Sequence, residues 1–241
     1  MTEDEWLASE DPGKMLKFLR RNTDLRYQRV SDNTPLGQRR LRLFGVAIMR
    51  RVADVFNDPC LHEIVEAVGG FADGIGTAVA FRNLQQQLRV RVFPLPLKEW
   101  SRIGCRELLT QHTREEFAHM VAYCLAASDH AASNAADGYH YAALAIEGED
   151  MAYEMTYQCD LIRDIFGNPF NPITIDPSWL TSTVIALAQK MYDTREFSAM
   201  PILADALMDA GCDNPQILEH CRGPGPHVRG CWVCDLCLGK K

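Results

Sequence analysis

The chain has 241 residues, of which 47% are hydrophobic and 24% charged, enough for a buried core and ordinary for a globular protein. Its net charge of -7 and pI of 5.5 exclude the broad positive field of a nucleic-acid binder, so no nucleic-acid partner is expected. The most apolar run, LFGVAIM at 43–49, stops at Arg50 and Arg51 and is far too short to span a bilayer, so no membrane partner is expected either.

The opening MTEDEWLASEDPG is acidic and lacks the apolar run of a signal peptide. Nine cysteines, an odd number with no export signal, point to reduced thiols and a cytoplasmic location. Thr2 with Glu5 three residues on predicts a capped first helix. Asp11-Pro12 then predicts a second, carrying Met15, Leu16, Phe18 and Leu19. Residues 22–34 are polar and read as a loop. From Pro35 to about Asn57 a long helix is expected, with Leu41, Phe44, Ile48, Val52 and Val55 on one face. Arg39, Arg40, Arg42, Arg50 and Arg51 lie opposite. They read as a solvated face or as partners for acidic residues, ahead of a site for an anionic ligand or nucleic acid.

Asp58-Pro59 restarts a helix expected to run through Val68, after which Gly69-Gly70, Gly74 and Gly76 weaken helical propensity and permit a break or a close helix contact. GGFADGIG lacks the Gly-Lys-Ser/Thr ending of a phosphate loop. LRVRVFPLPL at 88–97 is the one plausible strand, and its prolines make an extended connector an equal reading. Residues 98–166 read as further helices, alanine-rich between 118 and 145. The span 167–180 is a proline-punctuated loop. Its Phe170, Ile173, Ile175 and Trp179 are expected to lie against the helices. Beyond it come a helix at 181–192, one from Pro201 with Leu203 and Leu207 stopped by Gly211, and one from Asn214-Pro215 to Gly223. PGPHVRG turns the chain into a last helical turn or two at 231–238. The fold class expected is all-α: a compact multi-helix domain over 1–241 with a helical C-terminal segment, or its subdivision into 1–157 and 158–241.

Both ends resemble an uncharacterised bacterial family. The matching stretches are MTEDEWLASEDPGKMLKFLR, RRLRLFGVAIMRRV, LIRDIFGNPFNPITIDPSWLTSTVIALAQKMYD and MPILADALMDAGCDNPQILEHCRGPGPHVRGCWVCDLCLGK. The family pattern closes on AGCDN..IL.HCR and PGPHVRGCWVVDLLLGK, with Val in place of Cys234 and Leu in place of Cys237, and has a Cys-Cys pair in place of Ile48-Met49. The resemblance implies no activity, and it implies that Cys234 and Cys237 occupy core positions.

Three constellations carry possible chemistry. Cys212, His220, Cys221, His227, Cys231, Cys234 and Cys237 crowd the C-terminal stretch, and His and Cys are good zinc ligands where their geometry converges. The candidate set is His220, His227 and Cys231 with Cys212 or Cys221. The alternative is that the cysteines are small buried core residues. Arg222, His227 and Arg229 flank a glycine-bearing turn that could hold a phosphate or carboxylate, or Arg229 could pair with Asp205, Asp209 or Asp235 and lock the C-terminus. Glu116 with His119 and Asp137 with His140 have the i, i+3 spacing of di-iron bundles, without evident bridging carboxylates. There is no Gly-x-Ser-x-Gly elbow. The sequence therefore favours a non-enzymatic interaction or regulatory protein with an unspecified protein partner and no cofactor. Zinc binding at the His/Cys cluster, and a binder or enzyme for an anionic small molecule at the His227/Arg229 turn, are the alternatives.

Overall fold

The computed structural model describes residues 1–21, 34–57, 59–75, 83, 113, 114, 116–118, 121, 122, 138, 142, 143, 145, 146 and 151–240. Every regular element among the described residues is helical, as the all-α reading requires. The chain divides into two units, one of Met1–Leu7 with Asp160–Lys241 and one of Ala8–Cys159. The expected strand at 88–97 and all of the expected 22–34 loop but Thr34 lie outside the described residues, as do His119, Asp137 and His140. No helix among the described residues is long and apolar enough to cross a membrane.

In the Ala8–Cys159 unit, Asp11 caps α2 (Pro12–Arg21) by accepting the Lys14 amide, with Pro12 at the first helical position. Thr34 caps α3 (Pro35–Phe56) through the Gly37 amide. Leu41, Phe44, Ile48 and Val52 are buried as the three- and four-residue spacing requires. Val55 is not: one residue from the helix end it is 52% exposed, because the stripe outlasts the surface it packs on. The arginines of α3 are engaged. Arg39 forms a buried pair with Asp73, Arg50 bonds Glu66, and Arg51 bonds the fully buried Glu154 at 2.6 Å while lying over the Tyr157 ring. Arg42 lies over Phe71. These side chains anchor the helix to its neighbours.

The next helix, α4 (Pro59–Ala72), continues through Gly69-Gly70 past the expected end at Val68. It packs on α3, and a methyl group at Gly69 would meet Val46 at 3.7 Å. The gain from burying Leu61, Ile64, Val65 and Val68 outweighs the ~1 kcal/mol that each glycine costs a helix. The turn to a left-handed φ of +74° at Gly74 follows.

In the other unit, Thr2 and Glu5 form the expected reciprocal cap of α1 (Glu3–Leu7). Trp6 is completely buried, and its carbonyl accepts from the Arg163 guanidinium. Arg163 belongs to α5 (Ala152–Phe166), which crosses from one unit into the other. The 167–180 loop is stitched by local caps. Asn168 Oδ1 accepts the Phe170 amide, and Asp176 accepts the Ser178 amide and hydroxyl at the short 3₁₀ turn Pro177–Trp179. Ile173, Ile175 and Trp179 pack on the core, as expected of so apolar a loop.

That core is built by α6 (Ser182–Thr194), α7 (Met200–Asp209), α8 (Pro215–Arg222) and α9 (Trp232–Cys237). Thr181 and Asn214 cap α6 and α8. The C-terminus of α7 closes with the Gly211 amide on the Met208 carbonyl and the Cys212 amide on the Leu207 carbonyl, Gly211 taking a φ of +94°. Val184, Leu203, Leu207, Ile217 and Val233 are fully buried together, each contributing about 1.5–3 kcal/mol over exposure.

A candidate metal centre at Asp164, His220, His227 and Cys231

Four side chains from separate segments of this unit meet at one place. Asp164 comes from the last turn of α5, His220 from the last turn of α8, His227 from the 223–230 loop, and Cys231 from the position before α9. One donor atom from each lies within 4.8 Å of the other three. Asp164 sits between Leu161 and Ile165 on the buried side of α5 and is 2% exposed.

The loop geometry sets the two residues that follow it. Gly225 has a φ of +82°, and a Cβ there would lie 2.9 Å from the His227 amide nitrogen, so only glycine fits. The Gly225–Pro226 bond is cis. Gly230, at a φ of +99°, lets the Cys231 amide return to the Val228 carbonyl at 2.8 Å. This turn folds Cys231 back toward His220. Gly167 supports the site from below, where a Cβ would lie 3.3 Å from the Trp232 ring, and the same ring leans on His220 at 5.0 Å.

Asp164 ties the loop down. Its Oδ1 is 2.9 Å from His227 Nδ1 and 3.2 Å from His220 Nε2, and its Oδ2 accepts the Val228 amide at 3.0 Å. An ionised carboxylate only accepts, so His227 Nδ1 carries the proton. His220 Nε2 also lies 3.2 Å from Cys231 Sγ, and the two imidazoles meet edge to face at 4.9 Å. The second nitrogen of His227, Nε2, is buried and has no hydrogen-bond partner.

The electrostatics follow from this packing. Burial would push the Asp164 carboxyl up, but hydrogen bonds from His220 and His227, reinforced by their charge, outweigh it and hold the group below the usual carboxylate range. Burial would push both histidines down. Cys231 and Asp164 raise His220 to about 9, and Asp164 with Cys231 raises His227 to about 10. The Cys231 thiol is pushed well up, first by burial and then by Cys234 and Asp164, with His220 opposing, so it keeps its proton until a metal displaces it.

The cluster brings together three of the five residues that the sequence offers as ligands, His220, His227 and Cys231. Cys212 and Cys221 are instead buried in the apolar core with Cys234 and Cys237, with all four thiols raised by their surroundings. Asp164, absent from the sequence-based set, completes the group. Of the residues flanking the turn, Arg222 pairs with Asp205 at 3.1 Å, Arg229 lies over the Tyr192 ring at 4.7 Å, and His227 is held by Asp164. Each of the three thus has a different partner. Lys240 lies over the same Tyr192 ring at 4.2 Å and fixes the end of the chain.

No protein-family model, curated protein or solved structure matches this chain.

Proposed function

We propose that the chain is a metal-binding protein and that its C-terminal unit takes one zinc ion within the cluster of Asp164, His220, His227 and Cys231. The observation that carries this reading is the convergence of two imidazoles, a thiol and a carboxylate within 4.8 Å, the thiol and carboxylate buried and the imidazoles partly so. Imidazole nitrogens and a thiolate sulfur, with a carboxylate beside them, suit zinc, whose bond lengths put neighbouring ligand atoms about 3.3–3.6 Å apart in a tetrahedron. The 3.2 Å between His220 Nε2 and Cys231 Sγ lies a few tenths of an ångström inside that range, as a hydrogen-bonded pair does before a metal replaces its proton. A metal that joins α8 to the loop and residue before α9 needs no reaction to be useful. The reading is therefore compatible with the interaction or regulatory role favoured by the sequence.

The test is elemental analysis and zinc titration of untagged protein. One zinc per chain is expected, falling to none when His227 and Cys231 are replaced together by Gln and Ser. Protein that stays metal-free after incubation with zinc at pH 8 would overturn the reading.

A further inference from the structure

We infer that the metal ligands are His227 Nε2, Cys231 Sγ and His220 Nε2, that Asp164 orients His227 without touching the metal, and that the fourth coordination position is open to water or a small exogenous anion. The inference rests on the metal-binding reading above.

Both oxygens of Asp164 are already engaged, Oδ1 by His227 Nδ1 and Oδ2 by the Val228 amide. An imidazole that donates its Nδ1 proton to a carboxylate has only Nε2 left for a metal. In His227 that atom is buried without a hydrogen-bond partner, on a side chain 8% exposed. A nitrogen in that position costs the fold stability unless something binds it. The carboxylate–imidazole pair is also how proteins fix the tautomer and raise the basicity of a metal-ligating histidine. The Cys231 sulfur lies 3.2 Å from His220 Nε2, which makes these two neighbouring donors.

Three protein ligands leave a tetrahedral metal one position for solvent or substrate. The burial pattern says where it opens. Cys231 is fully buried and the Asp164 side chain is 2% exposed, while the His220 side chain is 18% exposed. Access is on the His220 side. A metal-bound water there would be acidified and usable as a nucleophile.

Cobalt(II) in place of zinc reports on this directly in the full-length protein. The wild-type cobalt protein should show a thiolate charge-transfer band from Cys231, and its visible spectrum should change saturably on addition of azide. Asp164→Asn, which can still accept the His227 proton, should keep one cobalt and the charge-transfer band with 10- to 100-fold weaker affinity. Cys231→Ser should lose the band. A wild-type spectrum blind to azide overturns the open position. Asp164→Asn that keeps its helical circular dichroism but binds no cobalt overturns the orienting role. If that variant does not fold, the azide titration of wild-type protein still decides. A wild-type protein that takes up neither cobalt nor zinc is the separate result that removes the metal-binding reading itself.

Discussion

Asp164 is a charge in a place that burial alone would forbid, and three donors keep it ionised: two imidazoles and one backbone amide. This gives the metal-free protein a pH signature. A carboxyl held below its unfolded value stabilises the fold above about pH 4, and that contribution is lost as pH falls through the folded value. The histidines work in the opposite sense. Raised from 6.5 to about 9 and about 10, they contribute fully below 6.5 and lose that contribution as pH rises through their folded values. Melting curves in EDTA should therefore show a maximum between about pH 4 and 6.5, with decline on both sides. Zinc needs the histidines and Cys231 without their competing protons, so the gap in Tm between zinc-loaded and EDTA-treated protein should widen from pH 6 to pH 9. Parallel curves would contradict this account. Part of the cluster was legible in the sequence, because His220, His227 and Cys231 stand close together in one short stretch. Asp164 was not, being 63 residues from His227. The available signal was an aspartate three residues after Leu161 and one before Ile165, on the apolar side of a helix. Asp160, four residues earlier, pairs with Arg163 near the surface, and local sequence does not say which of the two turns inward.

At the scale of elements, the helix starts were legible because caps are local chemistry. Thr2 with Glu5, Asp11-Pro12, Thr34 and Asn214-Pro215 each satisfy amides a few residues on. Ends and exposures were harder, because they depend on what the helix packs against. Gly69-Gly70 reads as a break or a close helix contact, and tertiary burial on α3 carries α4 through it to Ala72, while Val55 fits an apolar stripe and is exposed. Glycines of positive φ divide in the same way, and two of them make a controlled comparison. Gly211 has a φ of +94° and open space where an added methyl group would sit, so Gly211→Ala should cost only backbone strain, about 1 kcal/mol, and leave zinc affinity unchanged. Gly225 has the same kind of φ, but its methyl group would strike the His227 backbone at 2.9 Å. Gly225→Ala should cost about 1–3 kcal/mol and weaken zinc binding by displacing His227. Denaturant unfolding and zinc titration of the two variants check this, and equal zinc affinity in both would show that the loop does not set the site.

At the scale of the whole molecule, the chain divides at Cys159/Asp160, and the first seven residues belong with the C-terminal unit. A subdivision near 158 could be expected from the punctuated tail. The return of Met1–Leu7 could not, because it depends on the burial of Trp6 and on Arg163 binding its carbonyl from 157 residues away. The division determines where a metal acts. All four residues of the centre lie in the unit formed by Met1–Leu7 and Asp160–Lys241. A ligand that binds only the folded form adds stability to whatever must open to release it. At a free zinc concentration 100 times the Kd, this amounts to about 2.7 kcal/mol, or about 100-fold slower exchange of amides that need that opening. Hydrogen–deuterium exchange with zinc and with EDTA should therefore show strong slowing in α6 to α9 and in the turns between them, with a matching effect around Trp6. Amides of α3 and α4, held by Arg39–Asp73, Arg50–Glu66 and Arg51–Glu154, should exchange at the same rate in both conditions. Slowing confined to α3 and α4, or spread evenly over the chain, would place the metal somewhere other than the Asp164 cluster.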